Sequence, residues 1–392
     1  MLVDFHRQAA TGPGVDVHGE PDAVRRLVLG NLAECPRDLD PRLIDLLGAR
    51  LAELLASLAP VLGERLTEGR IRDGHGDLHA GNVCFLADRV IGYDCIEFDP
   101  ALRCGDVACD LAFLVMDLHA RGFPAFGNYL AHRYGIESGD PTLGKVLPLY
   151  LTHRALVRSK VAWLRASAAD APAPHDPARL ESARYLALAA GFLAPRALLV
   201  VCGLPGTGKS TIAAALEHAV DGVVLSSDRI RKRLVGLEPT EHWHGDPDGG
   251  PYAPEWTRRT YDEMHDQASH HLAAGRSVIL DATFPVAEWR ARFIRLAALH
   301  GVQARVLAVE APQEVVEERL RARAFDPRAV SDAGIEVYRR ARGRFEHPGA
   351  AELAPVVALD ARRPADDASL AVLASLLEGT SSSVGGEPAT HP

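Results

Sequence analysis

The chain has 392 residues, and at about 100–200 residues per domain that length suits two domains or three. Hydrophobic residues make up 47% and charged residues 24%, an ordinary globular composition that excludes disorder as the main state. A formal net charge of −9 argues against a surface built throughout to grip a polyanion, although a local basic cleft stays compatible with it.

Only four lysines occur, Lys145, Lys160, Lys209 and Lys232, every other basic side chain being arginine. A lysine at a motif position therefore carries more information than an arginine does. The six cysteines show no C-x-x-C pair. Small buried thiols in a reducing cytosol are expected, rather than a metal set built from Cys95, Cys104 and Cys109 with His75 and His79. The N-terminus lacks the apolar core of a signal peptide, and no run of about 18 apolar residues stands out, so a cytoplasmic protein with no membrane partner is expected.

In chain order, residues 39–70 repeat apolar positions at helical spacing and predict one long amphipathic helix. A polar stretch follows, with short β-like runs at 83–86 and 90–93. From Asp106, placed to cap it, the helical pattern returns, and two more helices are expected near 142–168 and 177–194. Pro195 marks a boundary. Beyond it the apolar runs 197–203, 222–225, 277–280 and 304–309 alternate with helical stretches, the pattern of a parallel sheet with crossover helices. The chain thus divides into a mainly α-helical part, 1–194, an α/β domain, 195–377, and a small polar segment, 378–392, expected to be disordered.

The α/β part opens on a phosphate-binding signature. Gly203, Gly206, Thr207, Gly208, Lys209 and Ser210 fall in G-x-x-x-x-G-K-[ST], after an apolar strand and before a helix that Thr211 opens. Glycines let backbone N–H groups turn inward around phosphate oxygens, and the helix N-terminus adds positive potential. Lys209 supplies a cation for the outer phosphates, and the Ser210 hydroxyl is a Mg²⁺ ligand. Asp228, just past the second strand, is positioned to accept a proton from a substrate hydroxyl, with Arg231 one turn on to hold an anionic group. Asp281 ends a further strand, where a carboxylate orients Mg²⁺. The stretch 317–334 is rich in arginine; Arg319 and Arg323 share a helix face and are preferred as lid residues that steady the transferring phosphate. Residues 237–264 are expected to fold over the acceptor, with Tyr252, Trp256 and Arg259 touching it.

GLPGTGKST, SSDRIRKRL, VILDATF and the arginine-rich stretch resemble the P-loop kinase group that includes polynucleotide 5′-hydroxyl kinases, gluconate kinases and zeta-toxin-like kinases. The resemblance implies an ATP- and Mg²⁺-dependent kinase, with Asp228 as base and Arg319 and Arg323 in the lid. It leaves the acceptor open.

The helical part carries H-G-D-x-H-x-x-N at 75–82 and Asp94 after a short hairpin. Asp77 would sit beside an attacking hydroxyl, with Asn82 and Asp94 reaching Mg²⁺. This resembles the aminoglycoside phosphotransferase and choline-kinase-like family, which shares the protein-kinase C-lobe. Kinases of that shape need an upper lobe with a phosphate-binding lysine. Only 74 residues precede the loop and no lysine occurs before Lys145, so this half is expected to lack that lobe and to transfer phosphate poorly. The combined order resembles proteins described as bifunctional aminoglycoside phosphotransferase/ATP-binding proteins.

The reading is therefore an ATP- and Mg²⁺-dependent kinase acting on a hydroxyl of a small molecule, sugar or nucleotide through its P-loop domain. Its rivals are an ATP-binding regulator without an acceptor, a nucleic-acid end kinase that takes only a short 5′ end, and an aminoglycoside-modifying enzyme.

Overall fold

The computed structural model describes residues 1–167, 173–243 and 249–379. It resolves into two compact units, Met1–Leu193 and Ala194–Pro392. The polar segment expected to be disordered lies, from residue 380, outside the described residues.

The first unit begins with helices α1 (Leu2–Gln8), α2 (Pro13–Asp16), α3 (Pro21–Ala33) and α4 (Pro41–Thr67). Asp40 starts α4 by accepting a hydrogen bond from the Leu43 N–H at 2.9 Å, with Pro41 in the first turn where its missing N–H costs nothing. By length and composition α4 could cross a membrane, a property that the sequence reading passed over. One stripe of it is core instead: Leu43, Leu47, Leu51, Leu55 and Leu62 are buried, and the helix packs on α3 and α8 (below).

Short antiparallel pieces then carry the polar loop: β1 (Ile71–Asp73), β2 (Val83–Phe85), β3 (Val90–Gly92), a single turn α5 (Pro100–Arg103) and β4 (Cys104–Asp106). β1 pairs with β4 (Arg72 opposite Gly105), and β2 with β3 (Cys84 opposite Ile91). Helices α6 (Val107–Ala120), α7 (Pro124–Ser138), α8 (Leu143–Ala166) and α9 (Pro177–Gly191) complete the unit. Asp106 caps α6 through the Ala108 N–H at 2.9 Å, as the sequence predicts. The same carboxylate pairs with Arg65, which is fully buried and also reaches Asp140 at 2.8 Å and Thr142 at 2.7 Å.

The second unit alternates β5 (Ala197–Cys202), α10 (Lys209–Ala219), β6 (Val223–Ser226), α11 (Ser227–Leu234), α12 (Pro254–Ala273), β7 (Val278–Asp281), α13 (Ala287–Leu299), β8 (Gln303–Glu310), α14 (Gln313–Arg323), α15 (Ile335–Arg342), β9 (Val356–Asp360) and α16 (Ala365–Glu378). All five strands are parallel, in the order β6-β7-β5-β8-β9. Every residue of β5 is buried, which is why it reads as an unbroken apolar run. After β5 the chain moves to one side of the sheet for β6 and β7, then to the other for β8 and β9. The reversal opens a crevice at the carboxyl end of β5, the usual place for a ligand in such sheets.

Candidate functional site

At that crevice the loop after β5 turns sharply. Gly203 has φ +150°, and a Cβ there would collide with the Val309 carbonyl; Gly208 has φ +101°, with an Arg319 nitrogen 3.2 Å from where a Cβ would be. Gly206 and Thr207 lie between them, and Lys209, Ser210 and Thr211 form the first turn of α10. Lys209 keeps part of its stem open, but its ammonium is enclosed and donates to the Leu204 carbonyl at 2.9 Å. Burial pulls this ammonium below the ordinary lysine range, against the opposing pull of Asp281 and Asp228. The Ser210 hydroxyl donates to Asp281 Oδ2 at 2.7 Å. Burial pushes the Asp281 carboxyl up, since it is only 7% exposed. A hydroxyl and a carboxylate facing each other at a strand end are the hard oxygen donors that suit Mg²⁺.

Asp228 is half-buried in the first turn of α11, whose N-cap is Ser226. Its charge bears on Lys209, Asp281, Tyr252 and Arg323 together. Arg231 is buried on the same helix, donating to the Pro251 carbonyl at 3.0 Å and the Thr257 hydroxyl at 3.1 Å, with its guanidinium 4.9 Å from the Tyr252 ring centre. Its Nε has no hydrogen-bond partner.

The arginines of α14 divide. Arg319 donates to the Thr207 carbonyl at 3.1 Å and the Ala361 carbonyl at 2.6 Å, so it braces the phosphate loop from behind. Arg323 bonds the Ala333 carbonyl and faces Asp228, Asp332 and Tyr252. Arg321 pairs with Glu317, and Arg328 stands outside on Asp326.

Of the residues expected over the acceptor, Tyr252 turns inward and donates to Asp332 Oδ2 at 2.7 Å. Trp256 and Arg259 stack on each other 4.8 Å apart, Arg259 exposed, and residues 244–248 of that segment lie outside the described residues.

Asp332 is what sequence reasoning missed. Only 7% of its side chain is exposed, and besides Tyr252 it meets Lys232 Nζ at 3.0 Å and His242 at 2.9 Å. Burial pushes its carboxyl up, but those three partners outweigh burial and hold it low. One signal was available: Lys232 is one of only four lysines.

In the first unit the structure brings Asp77 and Asn82 together: the Asn82 amide donates to the Asp77 carbonyl at 3.0 Å and to Asp77 Oδ2 at 3.3 Å. The loop is fixed from beneath by buried Asp110, which accepts from the His75 N–H at 2.6 Å and the Gly76 N–H at 2.8 Å. Asp94 is exposed after β3 with φ +62°, a left-handed conformation that Asp tolerates better than most residues. Among the described residues no three His, Cys, Asp or Glu side chains gather as a metal set. The expectation of buried thiols fits Cys35, Cys104, Cys109 and Cys202, but Cys95 is exposed and Cys84, on the two-stranded hairpin, is half-buried.

Two family models match: a phosphotransferase enzyme family over residues 1–149 and an AAA domain over residues 198–348. An uncharacterized protein of Mycobacterium tuberculosis (strain ATCC 25618 / H37Rv) is 33% identical over 343 residues, covering 86% of this chain and 67% of that protein; one of Mycobacterium bovis matches equally. The chain belongs to their family. This chain combines a phosphotransferase domain with a P-loop kinase domain whose sheet is the parallel one described above. Part of the chain is also similar to solved kinases. A gluconokinase from Sinorhizobium meliloti 1021 is 19% identical, covering 48% of this chain and 98% of its own, with TM-score 0.32. An APS kinase of Mycobacterium tuberculosis is 21% identical, covering 47% and 98%, with TM-score 0.33. The domain content makes this family member a phosphotransferase-type, nucleotide-binding protein.

Proposed function

We propose that the P-loop domain is an ATP- and Mg²⁺-dependent kinase that phosphorylates a hydroxyl of a small molecule, sugar or nucleotide. The observation that carries this reading is the convergence of Lys209, Asp228, Asp281 and Arg323 at the carboxyl end of the sheet, where the Ser210 hydroxyl already donates to Asp281 at 2.7 Å. Mg²⁺-bound ATP, when present, supplies the phosphoryl group and offsets its charge. Lys209 would exchange the Leu204 carbonyl for phosphate oxygens, and Ser210 with Asp281 would hold the cation. Asp228 would accept the acceptor's proton, and Arg323 would face the charge that develops on the transferring group. Arg231, with its unpartnered buried Nε, would hold an anionic or carbonyl group of the acceptor beside Tyr252. Trp256 and Arg259 would form the outer rim.

The phosphotransferase domain would take the minor share of any transfer. Both of its lysines lie on helix α8 rather than on a strand beside Asp77, Asn82 and Asp94.

Asp228→Asn tests the reading. Loss of a general base should cut phosphoryl transfer by about 10²–10⁴-fold, while ATP affinity measured by calorimetry stays within error. Unchanged behaviour in every assay would point instead to an ATP-binding regulator, and a steep fall of activity with salt would point to a nucleic-acid 5′ end as acceptor.

A further inference from the structure

A cavity of about 470 Å³ lies wholly within the phosphotransferase domain, between α3, α8 and the loop that carries Asp77. Its polar lining is incompletely satisfied. Six buried side-chain atoms among the described residues lack a hydrogen-bond partner, and three belong to this one cavity: His6 Nε2, Asn31 Oδ1 and His153 Nδ1. These residues are 3%, 7% and 2% exposed, so ordinary surface solvation does not serve them. His6 Nε2 stands 3.5 Å from Asp110, too far for a good hydrogen bond.

Arg154 lines the same cavity and is also buried. Its guanidinium lies 4.8 Å from the Phe113 ring centre, donates through Nε to the Cys109 carbonyl at 3.2 Å and also reaches the Cys109 thiol. The carboxylate that Arg154 meets is Asp110, at 3.9 Å, too far for a hydrogen bond, so its fork of donors is under-used. The carboxylates of the lining are already spoken for. Asp110 accepts two backbone N–H groups, Asp106 is paired with Arg65, and Glu34 meets Lys160 at 3.2 Å. At the exposed side Arg26 makes no ion pair among the described residues. Asp77 is the fourth carboxylate of the lining, against five basic side chains (Arg26, Arg72, Arg103, Arg154 and Lys160), so the net charge of the lining is positive, and Asn31 Oδ1 offers an unspent acceptor.

We infer that this cavity binds a small hydroxylated anion, a carboxylate or phosphate bearing hydroxyl groups, with its acidic group on Arg154 and a hydroxyl donating to Asn31 Oδ1. Asp77 lines the same space and faces the hydroxylated part of the ligand. Burial, with Arg154 and Lys160 nearby, keeps His153 neutral, so it serves as a hydrogen-bonding group rather than a third cation. This chemistry is opposite to that needed by a polycationic aminoglycoside, which Arg154 and Arg26 would repel. The inference does not rest on the kinase reading of the other domain.

Calorimetry on the full chain tests it, with gluconate and 6-phosphogluconate as anionic probes, sorbitol as the uncharged counterpart and kanamycin as the polycation. Gly30→Leu is the blocking variant. Gly30 lines the cavity on α3, a Cβ there meets nothing within 4 Å, and leucine is the better helix former, so the fold should tolerate it. Expected are saturable binding of at least one anion at one site per chain, a loss of at least about tenfold in affinity with Gly30→Leu and with Asn31→Leu at unchanged melting temperature, and no binding of sorbitol. Absence of saturable heat from both anions up to about 10 mM would mean a solvated cavity only and overturn the inference. So would binding that survives Gly30→Leu, or kanamycin binding that Gly30→Leu removes.

Discussion

Asp281 and Asp77 are read for related chemistry, yet the chain surrounds them in opposite ways. Asp281 ends a strand inside a five-stranded sheet, is 7% exposed, and shares its crevice with an enclosed lysine. Asp77 sits on a loop between two-stranded pieces with 37% of its side chain exposed and an amide as its nearest partner. Continuous apolar strands remove water from whatever stands at their ends, so the same charge acts there in a lower dielectric and more strongly. Short hairpins cannot do this. The α/β site therefore sets its carboxylate at a buried strand end beside Lys209, whereas the loop of the helical domain is anchored by buried Asp110 beneath it and carries a more exposed Asp77.

The largest expected effect separates the two directly. Lys209→Ala should reduce total phosphoryl transfer by at least about 10²–10³-fold, whereas Asp77→Asn should leave it within about twofold; steady-state rates with ATP and a common acceptor decide it. A large loss from Asp77→Asn would reverse the assignment of roles.

Next in size is a stability effect confined to one unit. Arg65→Met leaves Asp106 and Asp140 buried without their cation, which should cost about 3–5 kcal/mol. Urea unfolding should show the helical unit melting earlier while stabilisation by ATP persists. A single transition shifted as a whole would mean that the two units unfold together.

The most gradual effect, small over any one pH unit, is in pH. Burial, with Arg154 and Lys160 nearby, pulls His153 down from 6.5 to about 3. Between those values the unfolded chain takes a proton that the folded chain refuses. Stability of the helical unit should thus rise with pH across that window, and be lost on acidification by at most about 1.4 kcal/mol per unit. His153→Gln should flatten the acid arm of a denaturation series measured against pH.

What the sequence made legible follows locality. The phosphate loop is one strand, one turn and one helix in immediate succession, and the Asp106 cap is two residues from the N–H it accepts, so both could be read directly. Strand placement in the α/β part was correct to within a residue or two because buried parallel strands are continuous apolar runs. Helix α7 was not anticipated: its sequence mixes glycines, aromatics and a leading proline, and only Gly127 and Tyr134 are buried, so no apolar stripe marks it. Helices α1 and α3 and the closing pair β9 and α16 were likewise unforeseen. Asp332 meets Lys232, His242 and Tyr252 across 80 to 100 positions, and Arg65 meets Asp140 across 75. Partnerships of that kind arise from tertiary packing and leave no periodic trace.

Arg319 also bears on how portable the kinase domain is. It ties the phosphate loop to the Ala361 carbonyl, and Ala361 follows a strand that pairs with β8 and leads into a helix packed on α10. All of these anchoring residues lie beyond position 348, where the recognised AAA stretch stops. A fragment excised at that point would carry every signature residue of the loop, and Arg319 itself, but not the Ala361 anchor that holds Arg319 in place. Grafting or expressing this domain alone therefore calls for a cut after Glu378, and homologues that diverge in that last strand and helix should differ in loop rigidity even where their signature residues are identical.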